Sequence, residues 1–301
     1  MIVVKLVPIA DTSRELGGEF YGRLEAGDVL YFERSPIELP REDTEFLLSQ
    51  RQAGSSYYKN IAYRPAEDRV TGLDPGGDGE RMRRILKSYC DQTAGLLSKL
   101  LARYSNGWRV DFTSFRPFEE AGRALALHAR NDLLHVDAFP TRPTDGDRIL
   151  RFFTNLNPAR PRVWMTAEAF PELAGRYAEE GGIVRLARQR AGPAGRVTAK
   201  FARALGLRQF TASPYDAAMH RFHNFLKENT EFQEKAKKAR TEFPPGSSWI
   251  VFTDMLSHAV LSGQFALEQT FIIPYRAQQR PELAPVKILE KLAGRPLTWR
   301  E

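Results

Sequence analysis

Trp108-Arg-Val-Asp-Phe-Thr-Ser114 alternates apolar and polar side chains, the period of a strand with one buried face. Runs rich in β-branched and aromatic residues predict further strands at 28–33, 58–63, 133–139, 148–157, 162–166, 248–253 and 266–273, and Met1 to Pro8 reads as another. Prolines and glycines punctuate them, at Pro140, Pro143 and Gly146, at Pro158 and Pro161, and at Pro244, Pro245 and Gly246. Apolar spacing of helical period predicts helices over 80–104, 170–190, 194–205, 215–238 and 285–292, the last stopped at Gly294. A helical block at 169–243 therefore interrupts the strands. Strands and helices do not alternate regularly, which excludes a simple parallel sheet. The pattern predicts a mainly β chain: an antiparallel sandwich or barrel with a helical insertion and N-terminal helices packed on one face. A single domain over 1–301 is expected, with 71–79, which holds four glycines and a proline, as its least regular stretch.

Composition narrows the function classes. Of 301 residues, 42% are hydrophobic, enough for a packed core and too many for a disordered chain. One cysteine, Cys90, excludes an internal disulfide and a thiolate zinc cluster. No run approaches the ~18–20 apolar residues of a membrane span. The opening segment lacks the basic region of a signal peptide, so a cytoplasmic location is expected. Net charge is +7, which favours anionic partners: nucleic acid, a membrane surface or an acidic small molecule. The charge is clustered. Arg185, Arg188, Arg190, Arg196, Lys200, Arg203 and Arg208 share a stretch, 181–208, without an acid, and so do Arg148, Arg151, Arg160 and Arg162 within 148–167. The first run can be a solvated helix face. The second overlaps predicted strands, where a buried arginine needs an anion.

The chemistry-bearing residues are few. His135 and Asp137 form His-Val-Asp in a predicted strand, and residues two apart on a strand point to one side. His258 follows the strand at 248–253. Two imidazoles and one carboxylate on one face of a barrel make the triad that holds non-haem Fe(II) with three positions open. The lesser alternative for His258 is a hydrogen-bonded core histidine. His220 and His223, three apart on a predicted helix, are a rival metal pair. They flank the apolar stripe of Tyr215, Met219, Phe222 and Leu226, which favours a structural or substrate-contacting role.

Longer segments carry a resemblance. These are Leu134-His-Val-Asp-Ala-Phe-Pro-Thr-Arg-Pro143, Arg148-Ile-Leu-Arg-Phe-Phe-Thr-Asn-Leu-Asn-Pro158 and Pro161-Arg-Val-Trp164, preceded by Lys59-Asn-Ile-Ala-Tyr63 and Thr113-Ser-Phe-Arg-Pro117. They continue in Tyr215-Asp-Ala-Ala-Met219 with His223 and Lys227, Phe243-Pro-Pro-Gly-Ser-Ser-Trp-Ile-Val-Phe-Thr-Asp254, Ser257-His-Ala-Val260, Gly263-Gln264 and Glu268-Gln-Thr-Phe271. In this order the chain resembles the hydroxylases of 3-deoxy-D-manno-oct-2-ulosonic acid (Kdo). The resemblance implies a double-stranded β-helix (jelly roll) and an Fe(II)/2-oxoglutarate-dependent dioxygenase that uses O2. The implied substrate is the Kdo of the lipid A-linked inner core of lipopolysaccharide, hydroxylated at carbon 3. It carries His135, Asp137 and His258 over as catalytic iron ligands.

The co-substrate has two carboxylates, of which the far one needs a cation inside the barrel. In this family of folds that base commonly stands on the final strand, where Gln264–Thr270 offers none and Glu268 would repel the ligand. Strand parity turns Arg151 and Asn155 inward with Ile149 and Phe153, so Arg151 and Asn155 are candidates, and Arg162 on the next strand is another. Arg151 can instead pair with Glu268. Arg116, His223, Arg188 and Arg190 are candidate substrate contacts. The basic stretch 185–208 suits Kdo carboxylates and lipid A phosphates, which would dock the protein peripherally on the cytoplasmic leaflet. The competing readings are an oxygenase acting on nucleic acid and a non-catalytic cupin-like binder of anionic sugars. The basic block holds one ring, Phe201, too few for a base-stacking surface, so no nucleic acid is expected. The oligomeric state has no signature in the sequence.

Overall fold

The computed structural model describes residues 5–50, 60–192, 195, 197 and 212–299. Lys59, Arg196, Lys200, Phe201, Arg203, Arg208 and the helix expected at 194–205 lie outside them, apart from residues 195 and 197. Along the chain run β1 (Leu6–Pro8), α1 (Gly18–Glu25), β2 (Val29–Phe32), α2 (Arg41–Ser49), β3 (Ile61–Arg64), β4 (Arg69–Thr71), α3 (Gly79–Leu100), α4 (Ala102–Ser105), β5 (Arg109–Arg116), β6 (Arg148–Asn155) and β7 (Arg162–Ala169). Then follow α5 (Phe170–Tyr177), α6 (Ile183–Arg190), α7 (Pro214–Glu228), α8 (Thr230–Lys235), β8 (Ala239–Phe243), β9 (Ser248–Phe252), β10 (Leu256–Ser262), β11 (Ala266–Ile273) and α9 (Pro285–Ala293).

Two sheets form the core. The larger has the order β1-β2-β9-β6-β11-β5-β3-β4 and the smaller β10-β7-β8. Except for the parallel pair β1 and β2, neighbouring strands run antiparallel. This is the expected jelly roll of mainly β architecture with helical additions. Parity on β6 decides what each face touches. Phe152 and Thr154 meet Tyr89 of α3, so this face packs on the long helix. Arg151 and Phe153 point the other way, into the space between the sheets. Rings from both sheets close one end of that space: Phe243 stacks on Trp249 at 3.8 Å, Trp249 on Phe153 at 5.2 Å, and Trp164 meets both Phe153 and Trp249 edge-on. Edge and stacked ring pairs add about 0.5–1.5 kcal/mol each beyond burial, so this cluster fixes the spacing of the sheets.

Several boundaries differ from the sequence expectation. The helix expected over 170–190 is two helices. Gly182 at φ +70° turns the chain between α5 and α6, and a Cβ on Gly181 would stand 3.0 Å from the Phe225 ring. The helical insertion ends earlier than residue 243, because 239–243 is β8, paired with β7. Its polar alternation is that of an edge strand, which helical periodicity obscured. The segment 133–139 is not a regular strand. Among the described residues its one β-bridge joins His135 and His258. His258 itself lies within β10, a strand that the sequence pattern did not mark.

Candidate metal centre

The bridge between residues 135 and 258 is the geometric root of the site. The His135 amide donates to the His258 carbonyl at 3.1 Å and the His258 amide to the His135 carbonyl at 2.9 Å. Such a reciprocal pair puts both side chains on one side, and their ring centroids are 4.8 Å apart. The Asp137 amide donates to the Thr253 carbonyl at 2.8 Å, so residues 135 and 137 face the same way although no ladder continues between them. His135 Nε2 is 3.6 Å from Asp137 Oδ1. Trp164 stacks on the His258 ring at 5.1 Å.

A fourth group converges here from the insertion. The helix α7 starts on a capping box, Ser213 with Asp216, and buries Tyr215, Ala218, Met219, Phe222, Phe225 and Leu226. Its neighbouring face carries His220, His223, Asn224 and Lys227, at i, i+3, i+4 and i+7, all lining the central cavity. The ring of His223 is 4.8 Å from that of His135, and ligand atoms of His135, Asp137 and His223 all lie within 4.8 Å of one another. The sequence reading weighed His220 and His223 as a metal pair and placed His223 with the substrate contacts; the polar spacing of this stripe was the available signal.

The group has the chemistry of a metal ligand set. Nδ1 of each imidazole lies against a backbone carbonyl: Leu133 for His135 at 2.7 Å, Leu256 for His258 at 2.9 Å, Val136 for His223 at 2.8 Å. A carbonyl only accepts, so Nδ1 carries the proton and Nε2 presents its lone pair. Burial pushes the His135 imidazolium down to about 4 and lowers those of His258 and His223, which keeps all three neutral. Burial opposes the charge of Asp137, but the Arg151 guanidinium beside it outweighs burial and holds its carboxyl well below the usual range. Buried Asp137 Oδ2 accepts no hydrogen bond among the described residues. Neutral imidazoles beside an ionised carboxylate whose Oδ2 accepts no hydrogen bond among the described residues fit a divalent non-haem Fe(II) ion.

Around this group lies a cavity of about 790 Å³ lined by both sheets and α7. Its wall is a ladder of opposite charges. Arg151 bridges Asp137 at 3.4 Å and Glu268 at 3.6 Å. Arg116 joins Glu268 at 3.1 Å to Glu120 at 3.3 Å, and Arg162 meets Glu120 at 3.5 Å. Burial opposes ionisation of Glu268 and Glu120, yet the arginines beside them depress both carboxyls. Burial and the nearby Arg116 lower Arg162, although Glu120 opposes the shift. Arg162 also donates to the Gly263 carbonyl at 3.2 Å, while its buried Nε has no partner among the described residues. Farther out, Arg142 stacks on Phe112 at 4.2 Å and on Phe139 at 4.0 Å and pairs with Asp111.

Three expectations need correction. Asn155 does not line this cavity. Its amide donates to the Arg160 and Phe243 carbonyls and accepts from the Asn157 amide, which ties the turn after β6. Parity gave its face, but the strand ends there. Arg188 does not line the cavity either: its guanidinium donates to the Ala293 and Leu292 carbonyls at 3.1 and 2.9 Å and so caps α9. Arg190 is exposed beside it and away from the lining.

The model of the 3-deoxy-D-manno-oct-2-ulosonic acid (Kdo) hydroxylase family matches residues 10–296. The chain is similar to solved structures of the Kdo hydroxylase KdoO, a non-haem Fe(II), α-ketoglutarate-dependent dioxygenase. With the apo structure it shares 33% identity and a TM-score of 0.82, with 98% of each chain covered. The complex with α-ketoglutarate and Fe(III) gives 33% and 0.80, and the cobalt(II) complex 34% and 0.81, each over 98% of both chains. No curated protein matches the sequence. With its jelly roll, its cluster of imidazoles and carboxylate, and a match over nearly its whole length, the chain belongs to the Kdo hydroxylase family of Fe(II)/2-oxoglutarate-dependent dioxygenases.

Proposed function

We propose that this chain hydroxylates carbon 3 of Kdo in the lipid A-linked inner core of lipopolysaccharide. It would do so with His135, Asp137 and His258 holding Fe(II) and with 2-oxoglutarate and O2 as co-substrates. The observation that carries the proposal is the buried set of neutral imidazoles around an ionised aspartate, at the base of an arginine-lined cavity. Bound iron with 2-oxoglutarate supplies the power to activate O2 and oxidise a C–H bond.

The chain's own residues do the rest. Arg151 holds Asp137 at 3.4 Å and so stands at the metal end of the cavity. The far carboxylate of a five-carbon diacid must be gripped elsewhere. Arg162, buried on β7 with an unsatisfied Nε, is the better anchor, and Arg116 keeps Glu120 paired when Arg162 turns to the ligand. Arg142, which lines the cavity with its guanidinium over the Phe112 and Phe139 rings, suits the carboxylate of the sugar acid. Trp164 and the aromatic end keep bulk water from the reacting carbon.

No described helix is long and apolar enough to cross a membrane. A lipid-linked substrate and a net charge of +7 support a peripheral position at the cytoplasmic face of an anionic membrane. The test combines the iron-loaded protein, 2-oxoglutarate, O2 and Kdo-lipid A. Succinate forming in step with a sugar acid heavier by one oxygen supports the proposal. Succinate without oxygenated Kdo refutes the substrate, and no succinate refutes the chemistry.

A further inference from the structure

The triad of His135, Asp137 and His258 leaves His223 unused, although the insertion delivers it to the same point. Its Nδ1 donates to the carbonyl of Val136, the residue between the two ligands of the His-Val-Asp segment, which fixes the ring and leaves Nε2 bare. Its ring stands 4.8 Å from that of His135, at 75°. Ligand atoms of His223, His135 and Asp137 lie within 4.8 Å of one another. Two atoms on one ion are at most about 4.2 Å apart, twice a bond of about 2.1 Å, so a small closure suffices for ligation. A permanent fourth ligand is excluded by count. Three protein ligands, a chelating co-substrate and O2 already fill six positions.

We propose that His223 is a displaceable fourth protein ligand, which closes on the metal when co-substrate is absent and yields its position when the dicarboxylate chelates. The inference rests on the reading of His135, Asp137 and His258 as the permanent set. His135 and His258 are joined by the backbone bridge of the barrel and the Asp137 amide is held by the Thr253 carbonyl, whereas His223 rides on α7 and is tied to the segment by one carbonyl. Between turnovers such a ligand would retain the metal and cover a position that O2 could otherwise reach.

The experiment titrates Co(II) into the full chain and into His223→Asn, following ligand-field absorption with and without 2-oxoglutarate. Asparagine keeps an N–H for the Val136 carbonyl and lacks the far nitrogen. Without co-substrate the variant is expected to bind Co(II) at least about tenfold more weakly, with an altered spectrum. The Co(II)-loaded variant should bind 2-oxoglutarate more tightly by the same factor, because the two ligands compete for one position. His223→Gln, which returns an oxygen near the place of Nε2, should recover part of the Co(II) affinity. An unchanged affinity and spectrum in His223→Asn overturns the proposal and leaves the triad standing. A loss that persists at saturating 2-oxoglutarate, while His258→Ala still binds Co(II), overturns both, because His223 is then the permanent third ligand.

Discussion

Replacing Arg162 by alanine removes a guanidinium that is 1% exposed and faces the cavity. A charge-assisted hydrogen bond contributes about 1.5–3 kcal/mol. Two of them to one carboxylate, taken at the low end, give about 3 kcal/mol, which weakens binding of 2-oxoglutarate by about 150-fold. The fold should tolerate the change, because Glu120 keeps Arg116 at 3.3 Å and Arg123 at 3.5 Å. The loss is therefore smaller than the ~3–5 kcal/mol expected when a buried charge is orphaned. Anaerobic titration of 2-oxoglutarate into the metal-loaded variant measures the effect, and metal affinity is measured separately. Arg151→Ala, run beside it, should weaken the metal instead, because it removes the guanidinium that orients the Asp137 carboxylate at 3.4 Å. A dissociation constant for 2-oxoglutarate unchanged by Arg162→Ala refutes the reasoning. If Arg151→Ala loses the co-substrate and keeps the metal, the anchor is Arg151.

Other outcomes follow from neighbouring contacts. Gly263 sits at φ +127°, and a Cβ there would stand 2.9 Å from Arg162 Cγ, so Gly263→Ala should cost about 1–3 kcal/mol in chemical denaturation and also weaken 2-oxoglutarate binding. Asp137→Ala should fold, yet lose the thermal stabilisation that metal gives the parent, about 2.7 kcal/mol at a hundredfold excess over the dissociation constant. Differential scanning with and without metal checks this. Arg148→Ala breaks a fully buried pair with Asp254 at 2.8 Å and should destabilise by about 3–5 kcal/mol, read from the denaturant midpoint. Glu120 is depressed in the fold because Arg116 and Arg162 outweigh its burial. Its contribution is present above the ordinary glutamate value of about 4.3 and fades as pH falls toward the folded value. Glu120→Gln should therefore flatten the acid limb of the stability curve, and an unchanged limb would show that other carboxylates set it.

Local pattern alone determined the elements that are long or strictly periodic. The strand at 266–273 and the helix beginning at Pro285 fall where alternation and punctuation place them, because both depend on neighbours along the chain. The inward parity of Arg151 was legible for the same reason, and so was the placing of the His135 imidazole and the Asp137 carboxylate on one side of their segment. Tertiary structure decided the rest. Whether residues 133–139 form a strand depends on a partner more than a hundred residues away, and that partner supplies a single bridge. The roles of the arginines were decided the same way: Arg151 between Asp137 and Glu268, Arg188 on the end of α9, and Arg162 beside Glu120 look alike in sequence. A guanidinium takes its meaning from whichever anion or carbonyl the fold brings within reach. His223 meets the metal group for that reason too, since the turn at Gly181 and Gly182 and the packing of α7 carry it there, and periodicity describes only the helix on which it stands.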